Sequence, residues 1–194
     1  MGPEVLACPI VALGMLLLIP VLAVVLNYNG LVRTRNHVRE SWAGIDTELK
    51  RRYDLIPNLV ETVKGYAAHE REVLERVTAA RSRAVASTGS PGSQAADENE
   101  LVGALRQIFA LREGYPQLKS DRNFLELQRE LVNTEDRIQA ARRFYNGNVR
   151  EYNNRCQMFP SSVIAGAFGF APGEYFEVEH SGVRAPVAVD FGRP

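Results

Sequence analysis

The sequence predicts an all-α protein: a single N-terminal transmembrane helix continuing into an elongated antiparallel bundle of about four helices, with an irregular C-terminal tail. Three observations predict it. Residues 5–26 form an apolar run without a charged side chain. Behind it, apolar residues recur at alternating steps of three and four, the spacing of a helical seam and not of a strand. Proline and glycine then fall where each stripe runs out.

Composition narrows the function classes. Lysine plus arginine number 23 and aspartate plus glutamate number 23, so the formal net charge is zero. A nucleic-acid binder carries a basic excess, and this chain has none. With 194 residues the chain can bury one bundle core. Its two cysteines, Cys8 and Cys156, lie in different contexts, so neither a disulfide framework nor a metal pattern is expected.

At ~1.5 Å per residue, residues 5–26 span roughly 33 Å, enough for the hydrocarbon core. Pro9 and Pro20 interrupt the run. Membrane helices tolerate proline, and Pro20 is expected to kink this one. Glu4, the lack of an earlier lysine or arginine and the missing cleavage site argue against a signal peptide. Lipid attachment is disfavoured at Cys8, which precedes the apolar run, and at Gly2, which Pro3 follows. Arg33, Arg35 and Arg39 follow the run, at a position to touch lipid headgroups. The positive-inside rule then puts residues 1–4 outside and the C-terminal domain in the cytoplasm.

The soluble bundle is expected over residues 27–160. Its first stripe is Tyr28, Leu31, Arg35, Val38, Trp42, Ile45, Leu49 and Arg52, with no breaker but Gly30 between it and the membrane run. The anchor and the first bundle helix are therefore expected to be one long helix. Pro57 is expected to end that helix and open the next. The second stripe runs Leu59, Val63, Tyr66, Glu70, Val73, Val77, Ala80 and Ala84, with Gly65 inside it. These two helices, similar in length, are expected to form an antiparallel hairpin. A flexible loop is expected over 87–95. Asp97 with Glu100 opens a shorter helix through Leu101, Leu105, Ile108 and Arg112, ended by Gly114-Tyr115-Pro116. Ser120 or Asp121 caps the longest helix, about 122–158, whose stripe runs from Phe124 to Phe159 and stutters at Ala141, Tyr145 and Val149. Pro160 stops it. Residues 161–194 form a glycine-rich, partly extended tail that is strand-like over 187–191.

The stretch from Leu49 to Tyr66, containing Tyr53-Asp54-Leu55-Ile56-Pro57-Asn58-Leu59, resembles the signature of the LemA family of bacterial membrane proteins. So do Tyr115-Pro116-Gln117-Leu118-Lys119, Ala140-Ala141-Arg142-Arg143-Phe144-Tyr145-Asn146 and Phe159-Pro160-Ser161-Ser162. The resemblance runs from about Tyr28 to Phe176, with an echo at Val189-Asp190-Phe191. It implies one membrane helix, a helical cytoplasmic bundle and a place in the bacterial cell membrane. It also implies an association with envelope stress or membrane quality control, and it brings no enzymatic activity. Gly147-Asn148 departs from the pair expected after Tyr145-Asn146.

No catalytic constellation stands out. His69-Glu70 resembles a zinc-protease start, but the second ligand position holds Val73. His37 and His180 are isolated, no nucleophile elbow is present, and Gly166-Ala167-Phe168-Gly169 lacks the lysine of a phosphate loop. No catalytic, cofactor-binding or metal residue is assigned, and no small-molecule substrate is indicated. The remaining candidates are contacts. Arg35, Arg52 and Glu70 sit at seam positions, where they either snorkel to water or pair across helices or subunits and fix register. Tyr145 and Tyr152, each followed by asparagine, suit a polar layer within the bundle or an interface. Phe168, Phe170, Tyr175, Phe176 and Phe191 either close the end of the bundle or dock on another subunit, a partner or the bilayer. The expected function is a non-enzymatic, membrane-anchored scaffold or interaction protein that forms homo-oligomers or binds membrane partners. A lipid-acting remodelling protein and an adaptor of a membrane protease are the alternatives.

Overall fold

A computed structural model describes residues 3–177, with side chains from residue 18 onward. Its elements are α1 (Pro3–Lys64), α2 (Arg71–Ala86), α3 (Pro91–Leu111), α4 (Pro116–Ser120), α5 (Arg122–Gln157) and α6 (Ser161–Ala167). Among the described residues all regular structure is helical.

Helix α1 is 62 residues long, or roughly 93 Å at the α-helical rise. It passes Pro20, Gly30 and Pro57 without ending. The expected break at Pro57 is therefore corrected, and the reason is local. Pro57 has no N–H, which leaves the Tyr53 carbonyl without its helical donor. Arg81 of α2 supplies the bond instead, its Nε donating to that oxygen at 2.7 Å. The seam accordingly continues through Ile45, Leu49, Arg52, Ile56, Leu59 and Val63, all buried. Gly65, expected inside a helix, marks the true end. Tyr66 and Ala67 both turn their N–H groups back onto the Val63 carbonyl, at 3.0 and 2.8 Å.

Helices α1, α2, α3 and α5 form an up-down-up-down bundle. Arg81 of α2 donates to the Tyr53 carbonyl of α1, and Arg76 of α2 to Gln107 of α3, both at 2.7 Å, joining two pairs of antiparallel neighbours. The long partner of α1 is α5, not α2, which has only 16 residues and so does not match α1 in a hairpin of equals. The α1–α5 register is set by Asn148 against the His37 carbonyl (3.3 Å), Arg52 against Glu135 (2.8 Å) and Tyr66 against Asp121 (2.9 Å).

Two further boundaries differ from expectation. Ser90 caps α3, its hydroxyl accepting from the Ser93 N–H at 3.4 Å, with Pro91 in the first turn. The connection after α2 is therefore shorter than 87–95, because Ser-Pro is a helix start as well as a loop signal. Asp121 caps α5 by accepting from the Phe124 N–H at 2.8 Å, as one of the two expected caps. Residues 161–167, expected to be irregular, form α6. That helix ends at Gly169 (φ 71°), where Phe170 N–H bonds the Ala165 carbonyl at 2.9 Å, a Schellman closure that needs a left-handed residue.

Helices α2 and α3 cover only the distal half of α1, meeting it near Arg52 and Tyr53. Towards Tyr28, α1 packs on α5, α6 and an extended strap, residues 171–177. Over residues 18–26 the helix is exposed on every side. Leu18, Ile19, Leu22 and Leu26 are 64%, 67%, 54% and 62% exposed. Among the described residues no helix is long and apolar enough to cross a membrane. The side chains of 5–17, most of the expected span, lie outside the described residues. So do the strand-like segment 187–191 and Phe191.

Candidate functional site

Two constellations stand out, one inside the bundle and one at the end from which α1 emerges. The inner one centres on Arg52, only 2% exposed. Its guanidinium bonds Glu98 of α3, which is fully buried, and Glu135 of α5 at 2.8 Å. Tyr53 donates its phenol to the same Glu98 carboxylate. Burial, then the Glu98 contact, push that phenol's pKa far above the usual tyrosine range. Three helices are thus joined through one arginine. A cleft of about 350 Å³ opens beside it between α3 and α5, walled by Val102, Leu105, Phe109 and Leu131.

Arg52 was legible from seam spacing, but its partners were not. Glu98 precedes Leu101 by three residues, which is the seam step itself. That step falls in the first turn of a helix expected to open at Asp97, where a carboxylate already has an ordinary place beside the helix N-terminus. Glu70, another of the three expected seam charges, lies in the turn before α2. It accepts from the Tyr115 hydroxyl at 3.0 Å, tying that turn to the α3–α4 connection. The structure does not bring it to Arg52 or Arg35.

The outer constellation is built by the Tyr-Asn pairs of α5, which stand seven residues, two turns, apart. Asn146 both donates to the Phe176 carbonyl (3.1 Å) and accepts from the Phe176 N–H (3.0 Å). Asn153 does the same with Gly173, at 3.0 and 2.7 Å. Tyr145 and Tyr152 donate to the Glu174 and Ala171 carbonyls, each at 2.9 Å. Both amides act as a neighbouring β-strand would, satisfying both backbone groups of one strap residue. Burial pushes both phenols up to about 12. The expected polar layer is therefore a clasp for the tail, which docks on its own chain. Gly173 lies against Val149 and Tyr152, which an added Cβ would meet at ordinary contact distances of 3.7 and 3.8 Å.

The strap's aromatic side chains complete the clasp. Phe176, fully buried, meets Trp42 edge-on at 5.4 Å, and Trp42 meets Tyr145 at 5.1 Å. Phe170 is buried against Tyr28 at 5.7 Å, with the Arg35 guanidinium 4.9 Å from its ring centroid. Phe168 touches Tyr28 at 4.9 Å yet stays 57% exposed, and Tyr175 is 40% exposed. Arg33 and Arg39 are exposed on α1 just past the apolar segment. Among the described residues no group of histidine, cysteine and carboxylate side chains could hold a metal ion.

A family model described as the LemA family matches residues 41–191. The chain belongs to the LemA family. The matched segment takes in the Arg52 cluster, both Tyr-Asn pairs and the strap. Among individual proteins, this chain is similar to magnetosome protein MamQ 1 of Paramagnetospirillum magneticum, 26% identical over 86% of this chain and 73% of the relative. It is similar to magnetosome protein MamQ of Magnetospirillum gryphiswaldense, 25% identical over 93% of this chain and 75% of the relative. It is also similar to protein LemA of Metamycoplasma hominis, 28% identical over 71% of this chain and 63% of the relative.

Proposed function

We propose that this LemA protein is a non-enzymatic, membrane-anchored scaffold whose bundle self-associates or binds partner proteins at the cytoplasmic face. One observation carries the reading. A single helix leads from an outward-facing apolar segment, residues 18–26, straight into the buried seam of a bundle. Apolar side chains exposed on all sides of a helix are costly in water and stable in lipid. Membership of the family, with relatives named as magnetosome proteins, supports membrane association at this coarse level. The ion cluster supports the non-enzymatic part, since buried Arg52 and Glu98 and the half-buried Glu135 are spent on one another. The finer role in envelope stress or membrane quality control rests on the family alone.

Chemical crosslinking of the full chain in native membranes tests the reading. A defined oligomer or a captured membrane partner is expected. A strict monomer with no captured partner contradicts it. A second, lipid-acting reading is favoured by exposed apolar residues at the α5–α6 corner. Vesicles that keep their shape at high protein density would count against it.

A further inference from the structure

We infer that the corner between α5 and α6 is a second membrane contact, a foot that inserts into the lipid surface beside the anchor. The inference rests on the anchor reading above. Phe159 is 84% exposed, Met158 63%, Val163 61% and Phe168 57%, although the chain buries Phe170 and Phe176 nearby. Large side chains left out of a core in one cluster mark an interaction surface.

Three observations name lipid as the occupant. The first is height. Asn148 lies level with His37, and Arg155 reaches α1 at Gly30, where an added Cβ would meet its Nη1 at 2.7 Å. Carried on along the antiparallel pair, that register sets the end of α5, Gln157, level with Tyr28, and Met158 and Phe159 follow directly after it, next to the outward-facing apolar segment. The second is continuity, since Phe168 packs on Tyr28 and joins the foot to α1 where the apolar segment meets the bundle. The third is charge. Residues 156–173 contain no charged side chain, although 24% of the whole chain is charged. Arg33 and Arg155 lie on the bundle side of that level, where headgroup phosphates would sit. A protein partner would meet no matching charge at such a patch, whereas a hydrocarbon surface requires none.

The test uses the full chain with Cys8 and Cys156 changed to serine. The fluorophore NBD is attached at Phe159→Cys, or in a separate protein at Val163→Cys. Leu22→Cys reports the anchor and Asp136→Cys the water-facing bundle. The proteins are reconstituted into vesicles of phosphatidylcholine and phosphatidylglycerol, with or without doxyl-labelled lipid. At 159 and 163 we expect emission shifted to the blue and quenched by doxyl lipid, as at 22 and unlike 136. Quenching at 22 with water-like emission at 159 and 163 overturns the foot and leaves the anchor standing. Blue-shifted emission at 159 and 163 without doxyl quenching means that protein covers the corner, and also overturns it. Water-like emission at 22 removes the anchor reading and the foot with it.

Discussion

Arg52 and Glu98 lie deep in the bundle, and each makes the other's burial tolerable. Removing only the arginine leaves a carboxylate stranded in the core. Arg52→Met is expected to cost about 3–5 kcal/mol of unfolding free energy, most of it recovered by adding Glu98→Leu. Urea denaturation of the three proteins measures both effects. A single-variant cost near that of a surface pair, below about 1 kcal/mol, would mean the charges are solvated. Pro57 and Arg81 are a second residue-scale pair. Arg81→Ala leaves the Tyr53 carbonyl without a donor and is expected to cost about 1–3 kcal/mol. With Pro57→Ala in place, an N–H returns and the same change should cost markedly less. A double-mutant cycle reads the difference, and strict additivity would refute the explanation given for the unbroken helix.

At the scale of elements, the strap does the work of a third helix over the proximal half of α1. Asn153→Ala removes two hydrogen bonds, each contributing ~1 kcal/mol. Faster amide exchange is expected over 171–176, with the distal bundle unchanged. Alkali should act at the same place. Folding raises the Tyr145 and Tyr152 pKa values from 10.0 to about 12. Their contribution is thus intact below pH 10 and lost as pH climbs towards 12. Strap exchange should rise across that window together with tyrosinate absorbance. Exchange that follows neither the mutation nor the pH would dissociate the clasp from these residues. How much of this the sequence revealed depended on whether a signal was local. The seam of α1, the Asp121 cap and the extent of α5 follow from spacing and capping within one segment. Pro57 misled because its compensation comes from Arg81, 24 residues on. The clasp was half visible for the same reason: the Tyr-Asn pairs suit a polar layer, but nothing local names residues 173 and 176 as the partners of Asn146 and Asn153.

For the whole molecule, the consequence is mechanical coupling. Helix α1 has no joint between its outward-facing apolar segment and Arg52, since it passes Gly30 as helix. Tilt or axial displacement of the anchor would reach the buried ion cluster directly, and the strap and foot would brace the point of entry. On the proposed scaffold reading, a change at the membrane would be passed to a partner bound at the distal bundle. The most direct test of this account is a nitroxide scan, one label at a time, over residues 18–40 of the full chain in phosphatidylcholine–phosphatidylglycerol vesicles. Oxygen-rich, lipid-like accessibility is expected over 18–26, and beyond it an oscillation at 3.6 residues per turn that stays in phase from Tyr28 to Val38. Water-like accessibility across 18–26, or loss of phase at Gly30, would contradict it.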